Sequence, residues 1–317
     1  MDVDQGVEQI EEHGANGHAA QDRRVGTIVK GENLAALRAL PDALAALVYV
    51  DPPFNTGRTQ RRTRIRTQRA AAGSGDRTGF GGRRYATEVL GRSEFADRFD
   101  DLPAYLEPRL REAHRVLRSD GSLFVHLDPR ESHYVKVLLD RIFGRASFMN
   151  EIVWAYDYGA RTKTRWPAKH DTILWYAKDP SRYAFDYGAM ERIPYAAPGL
   201  VGPEKAARGK TPTDVWWHTI VPTNGRERTG YATQKPLGIV SRIVAVHSRP
   251  GDLVLDFFAG SGTTGEAAAR LGREFLLVDS SAEAVRVMQR RLAAWAPRTL
   301  TLRQFVGPRR PVLASPA

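Results

Sequence analysis

Residues 46–57 read Ala46-Leu47-Val48-Tyr49-Val50-Asp51-Pro52-Pro53-Phe54-Asn55-Thr56-Gly57. The first five are apolar and Val-rich, and such a run predicts a buried strand. It stops at Asp51, because Pro52 and Pro53 bring no N–H groups to a ladder and disfavour an immediate helix. A carboxylate, two stiff carbonyl-bearing residues and the Phe54 ring are thereby presented where the strand leaves its sheet. In open α/β sheets that carboxyl edge is where ligands bind. An Asp followed by prolines is also ordinary turn punctuation, so this stretch alone leaves both possibilities open.

A second motif lies 205 positions further on, at Asp256. Leu253–Phe257 predicts a strand, followed by a glycine turn, Phe258-Ala259-Gly260-Ser261-Gly262-Thr263-Thr264-Gly265, and a helix to Leu271 capped by Gly272. Phe275–Val278 predicts the next strand, ending at Asp279. Ser280-Ser281-Ala282-Glu283 has the spacing of a capping box that opens a helix to about Trp295. Glycines let a backbone approach a ligand, and a helix N-terminus offers free N–H groups. Gly260-x-Gly262-x-x-Gly265 matches the dinucleotide fingerprint, with Asp279 at the ribose-binding position. On these residues alone an NAD-dependent oxidoreductase and a purely structural turn both stand, and Asp279 also fits a helix N-cap.

The rest of the chain surrounds these two strands. Residues 1–24 are polar and aperiodic, which predicts a flexible N-terminal tail. Val25–Lys30 predicts a strand and 32–40 a helix ended by Pro41. Helices are expected over Pro103–Leu117, Arg130–Phe143 and from Pro236, at the N1 position, to His247; strands over Gly121–Leu127, Ile152–Ala155 and Thr172–Ala177. Residues 55–96, rich in Arg, Gly, Thr and Ser, lack regular periodicity and predict a mobile functional loop. Periodicity also weakens over 178–230, and 306–317, with its prolines and paired arginines, looks like a tail. Trp154, Tyr156, Tyr158, Trp166, Trp175, Trp216 and Trp217 lie among basic residues. That mixture suits either base stacking or a small satellite core.

At 317 residues, 42% hydrophobic and 26% charged, the chain has the composition of an ordinary globular protein. No run approaches the ~18–20 apolar residues of a membrane span, and no signal-peptide core is present at the N-terminus, so a cytoplasmic location is expected. There are no cysteines, which excludes disulfides, zinc-thiolate and iron–sulfur sites and a Cys nucleophile. No spacing of His or carboxylates suggests a metal. The formal charge is +11. Residues 55–92 hold ten Arg, including Arg58, Arg61, Arg62, Arg64, Arg66 and Arg69, against Asp76 and Glu88, a net +8. Such a concentration points to a polyanion, most simply DNA, unless it is a solvated loop without a partner.

Four ordered motifs resemble those of amino-group DNA methyltransferases. Asp256-Phe257-Phe258-Ala259-Gly260-Ser261-Gly262-Thr263-Thr264 is similar to their S-adenosylmethionine motif, and Asp51-Pro52-Pro53-Phe54 to their catalytic motif. Thr233-Gln234-Lys235-Pro236 resembles the segment placed against the methionine end of the cofactor. Gly31-Glu32-Asn33-Leu34 resembles a Gly-Asp-Asn-Leu element, with Glu where Asp is commoner. The catalytic motif precedes the cofactor motif, as in the beta group; ribosomal-RNA guanine methyltransferases share both in the opposite order. Glutamine-modifying protein methyltransferases carry Asn where Asp51 stands. The resemblance spans roughly 25–180 and 230–295.

The resemblance implies an α/β, Rossmann-like class I methyltransferase domain over 25–305, with a mixed, mostly parallel sheet, helices on both faces and a target-recognition insert at 178–230. It implies methyl transfer from S-adenosylmethionine to the exocyclic amino group of adenine in duplex DNA, with the base swung out of the helix, as in restriction-modification systems. The 4-amino group of cytosine, and a DNA-binding protein without catalysis, are the alternatives. Asp51 and the Pro52 carbonyl would accept hydrogen bonds from the amino group, Pro53 would stiffen the turn, and Phe54 would stack on the base. Glu32, Asn33, Lys235, Pro236, Asp256, Phe257, Phe258, Gly260, Ser261, Gly262, Thr263 and Asp279 would form the cofactor site, with Lys235 on the cofactor carboxylate and Asp279 on the ribose. The arginines of 55–96 would grip phosphates. Relatives of this kind often form homodimers and would associate with the nucleoid. The absence of Cys excludes methylation at a cytosine ring carbon through a thiolate adduct.

Overall fold

The computed structural model describes residues 25–55, 58–70, 75–78, 84–97, 99–159, 161–222 and 224–307. The expected tail at 1–24 and most of 306–317 lie outside them.

In chain order the chain forms β1 (Gly26–Lys30), α1 (Asn33–Arg38), β2 (Ala45–Val50), β3 (Arg58–Arg69), β4 (Arg77–Thr78) and β5 (Arg84–Asp97). Then follow α2 (Leu102–Val116), β6 (Leu117–Leu127), α3 (Ser132–Phe143), β7 (Phe148–Ala155), β8 (His170–Ala177), α4 (Pro203–Arg208) and β9 (Val215–Trp217). The C-terminal part adds α5 (Leu237–His247), β10 (Leu253–Asp256), α6 (Thr263–Arg270), β11 (Glu274–Asp279), α7 (Ala282–Arg291), β12 (Arg298–Thr301) and α8 (Leu302–Val306).

Nine strands form one sheet in the order β12-β1-β11-β10-β2-β6-β8-β7-β9. The six from β12 to β6 pair in parallel, β8 runs antiparallel to both β6 and β7, and β9 is parallel to β7. All six residues of β2 are buried, as a central parallel strand requires when helices cover both faces. One face packs Val48 and Val50 with Leu37, Leu106, Leu110 and Leu138 of α1–α3. The other packs Leu47 and Tyr49 with Ile239, Ile243, Ala267 and Met288 of α5–α7. The chain leaves β2 toward β6 and leaves β10 toward β11, so the strand order reverses between β10 and β2. A crevice opens at such a point, at the carboxyl ends of the two strands. Asp51 and Asp256 both lie there.

Several expectations are corrected. The described parts of 55–96 are not an aperiodic loop: β3 and β5 pair antiparallel, with β4 beside β5. The strand character of Thr59, Thr63, Thr67 and Ile65 was masked by the arginines between them. The backbone register sets Arg58 opposite Asp97, Arg61 opposite Glu94 and Arg66 opposite Glu88. Over 58–97 the sequence carries ten Arg against Asp76, Glu88, Glu94 and Asp97, a net +6 rather than the +8 of the shorter window. Pro236 is the N-cap of α5, not its first residue. The N-cap of α7 is Ser281, whose hydroxyl accepts from Ala284 N, so Ser280 and Glu283 form no capping box, and α7 ends at Arg291. Within 178–230, β9 extends the main sheet and α4 is a short helix.

Candidate active site

A cavity of about 450 Å³ occupies the crevice between β2 and β10. Asp51, Pro52, Pro53 and Phe54 line one part of it; Asp256, Phe257, Phe258, Gly260, Ser261, Thr263 and Asp279 line another, with Glu32, Asn33 and Lys235. Two of the expected cofactor residues do not. Gly262 lies beneath the turn, where a Cβ would stand 2.8 Å from Met288 Cγ, and Pro236 caps α5.

The turn is held by two carboxylates at strand ends. Asp279 Oδ2 accepts from Gly260 N at 2.8 Å and Oδ1 accepts from Ser281 N at 2.8 Å. Asp256 Oδ1 accepts from Phe258 N at 2.9 Å and Oδ2 from the Thr264 hydroxyl at 2.6 Å. Burial pushes both carboxyls up, Asp256 to about 7 although two hydrogen bonds pull it down. Gly260 and Gly262 take φ of 48° and 75°, which glycine adopts without a Cβ clash. Asp256 thus braces the turn, and its two oxygens are taken up within it.

At the other end, the Glu32 carboxylate caps α1, accepting from Leu34 N and Ala35 N at 2.9 and 2.7 Å. Arg109 of α2 donates to Glu32 at 2.8 Å and to Asn33 Oδ1 at 2.7 Å, and lies over the Tyr105 ring. Asn33 Nδ2 donates to the Phe257 carbonyl at 2.9 Å. Burial raises the Glu32 carboxyl, but the two backbone N–H groups and Arg109 outweigh it and hold the carboxyl low. An acidic group and a ring therefore face the glycine turn across the cavity.

Asp51 sits between these regions. Its Oδ2 accepts from Lys235 Nζ at 2.6 Å, and the same ammonium lies 4.5 Å above the Phe54 ring. Lys235 is thus the partner of Asp51, because two part-buried opposite charges within reach neutralise one another. Asp51 Oδ1 is buried and has no hydrogen-bond partner among the described residues. A buried acceptor of that kind is suited to a donor from outside the chain.

Sequence reasoning missed the polar layer behind Phe54. The Tyr49 hydroxyl meets His126 Nδ1 at 2.8 Å, His126 Nε2 meets Asp171 Oδ2 at 3.1 Å, and the Tyr156 hydroxyl donates to Asp171 Oδ1 at 3.1 Å. The His126 ring stacks on Phe54 with centroids 6.1 Å apart. A histidine inside the apolar run Leu123-Phe124-Val125-His126-Leu127 was the available signal. Arg109, on the buried face of α2 beside Leu106 and Leu110, was another. Tyr231 lines the cavity with no motif to announce it. Of the aromatics left open, Trp154, Trp175 and Trp216 are core, whereas Tyr158, Trp166 and Trp217 are exposed. The backbones of Arg58, Arg61, Arg62, Arg64, Arg66 and Arg69 lie in β3, and Arg69 is exposed; the other five side chains lie outside the described residues.

The DNA methylase family matches residues 45–290, more than three quarters of the chain. The DNA adenine methyltransferase YhdJ of Escherichia coli (strain K12) is 29% identical over 274 residues, covering 84% of this chain and 82% of that protein. The M1.HpyAVI–SAM complex superposes with a TM-score of 0.53 at 18% identity, covering 84% of this chain and 98% of the other. The cytosine-N4-specific PvuII DNA methyltransferase gives 0.55 at 15% identity, over 87% and 95%. The two solved structures establish a common fold.

Proposed function

The chain belongs to the DNA methylase family, and from that membership we propose that it transfers the methyl group of S-adenosylmethionine to the exocyclic amino group of adenine in duplex DNA, with Asp51 as the principal catalytic residue. The observation that carries this is Asp51, which lines the same cavity as the glycine turn and whose buried Oδ1 has no hydrogen-bond partner among the described residues.

The cavity fits the cofactor by its donor set. Asp279 and the Gly260 turn offer a carboxylate and a closely approachable backbone, Phe258 and Tyr105 offer rings, and Lys235 offers a cation. When bound, S-adenosylmethionine supplies a methyl group on a positively charged sulfur. The chain's own residues supply the rest. The amino nitrogen of adenine is a poor nucleophile because its lone pair is delocalised into the ring. Asp51 Oδ1 and the Pro52 carbonyl accept its N–H groups, so the nitrogen can become tetrahedral while the developing positive charge faces a fixed carboxylate. Pro52 and Pro53 hold both acceptors without reorganisation, and Phe54 stacks on the extruded base.

Adenine is favoured over cytosine by the likeness to YhdJ. The β3–β5 sheet, net +6, suits phosphate contacts. Homodimer formation and nucleoid association belong to the same proposal and are supported by the family resemblance. Among the described residues no helix is long and apolar enough to cross a membrane.

The test is transfer of labelled methyl groups to mixed genomic DNA by wild type and Asp51→Ala, followed by nucleoside analysis. Label in N6-methyladenine, reduced about 100-fold or more in the variant, is the expected result. Label in N4-methylcytosine would keep the mechanism and replace the base. Cofactor binding without label in DNA would overturn the substrate.

A further inference from the structure

The hairpin connection between β7 and β8 has no part in the chemistry described so far. Leu127, the last residue of β6, lies opposite Thr172 of β8, so the connection leaves the sheet at the edge where β2 presents Asp51. Tyr156 N donates to the Lys169 carbonyl at 3.0 Å, and the Lys169 ammonium donates to the Tyr158 carbonyl, which closes the base of the loop. A second cavity, of about 760 Å³, is lined by Phe54, Tyr156 and Asp171 together with Arg161, Arg165 and Trp166 of this loop. Phe54 lines both cavities, so the stacking face proposed for the target base adjoins the space that the loop bounds.

Trp166 is 95% exposed, more than any other large apolar side chain among the described residues. Leaving an indole in water is unfavourable unless something covers it in the working state. Residues 157–169 carry Arg161, Lys163, Arg165 and Lys169 against Asp157, a net +3, which selects an anionic partner. Pro167 restricts Trp166 to extended backbone, so the ring is carried on a stiffened knuckle.

A base extruded from a duplex leaves a gap in the stack and an orphaned partner base. Planar side chains fill such gaps, and any base offers them a π-face. We infer that Trp166 is a stacking wedge for duplex DNA: it enters the helix as the target base moves to Phe54, while the surrounding cations hold the adjacent phosphates. The wedge rests on the DNA reading above and adds a positioning residue to it.

The test uses a duplex containing the site mapped from methylated genomic DNA, with 2-aminopurine at the target position to report extrusion. Trp166→Ala should lower the fluorescence rise at saturating protein and, on the same duplex with adenine at the target position, raise the KM for DNA about tenfold, with Trp166→Phe restoring most of both. Cofactor affinity and Tm should not change, because the ring is exposed. With a mismatched partner base, so that the target is already unpaired, the Trp166→Ala defect should shrink to about twofold or less. Equal defects on paired and mismatched duplexes, no defect on either, or loss of a dimer with normal extrusion would overturn the wedge alone. Absence of any methylated base with wild type would overturn the functional reading and the wedge with it.

Discussion

Replacing Lys235 by Met keeps the length and apolar stem of the side chain and removes only its charge. In the structure that charge lies 2.6 Å from Asp51 Oδ2, with the two side chains 11% and 15% exposed. At an effective dielectric of about 20 the gross attraction is about 6 kcal/mol, and desolvation of both ions offsets a large part of it. Breaking a buried pair by removing one partner costs about 3–5 kcal/mol, because the other charge is left uncompensated. Residual solvent contact places this pair at the lower end, about 3 kcal/mol, or ~5 °C in Tm for a chain of this size. Asp51→Asn strands the ammonium instead and should cost a similar amount. The double variant leaves no charge to strand, so a double-mutant cycle by calorimetric melting should give a coupling of about 2 kcal/mol or more. A coupling below about 0.5 kcal/mol would refute the reasoning, since it would mean that the two groups do not meet in solution.

Two buried groups make opposite demands on pH. Burial raises the Asp256 carboxyl to about 7 from 3.8, so its contribution is full below about pH 4 and is lost as pH rises through 7. Burial lowers His247 to about 3 from 6.5, so its contribution is full above 6.5 and is lost as pH falls toward 3. Between pH 4.5 and 6.5 the slopes, about 1.4 kcal/mol per unit each, nearly cancel. His247→Phe should expose the Asp256 slope, losing about 3 kcal/mol of urea-measured stability over that interval; a slope equal to wild type would sink the assignment. Gly262→Ala places a side chain at φ 75° and a Cβ 2.8 Å from Met288 Cγ. Left-handed strain of about 1–2 kcal/mol should then weaken cofactor binding about tenfold by titration calorimetry. Unchanged affinity would show that the turn tolerates distortion where the cofactor binds.

The parts of this protein that are legible in its sequence are those set by local chemistry. A Val-rich run ended by Asp51-Pro52-Pro53 must be a buried strand with a rigid exit, whatever surrounds it. Gly260 and Gly262 mark a turn whose positive φ values only glycine takes easily, and Asp279 follows at the end of the next strand. Both motifs therefore predicted the crevice and most of its lining. Local chemistry was misleading where one property hid another. The arginines of 58–69 concealed the alternation of a strand, and pairing with β5, up to 39 residues away in register, is a nonlocal event that no window of sequence contains.

Tertiary structure alone decided which groups share a space. Lys235 and Asp51 are 184 residues apart, and only the packing of α5 against the sheet brings that ammonium onto the carboxylate and over Phe54. Tyr49, His126 and Asp171 come from β2, β6 and β8, Tyr156 follows directly after β7, and they meet because β2, β6, β8 and β7 are consecutive neighbours in one sheet. The Asp51 oxygen that has no partner among the described residues belongs to the same category. Residue type makes it an acceptor, but burial by distant segments is what strips it of water and leaves it waiting for a donor.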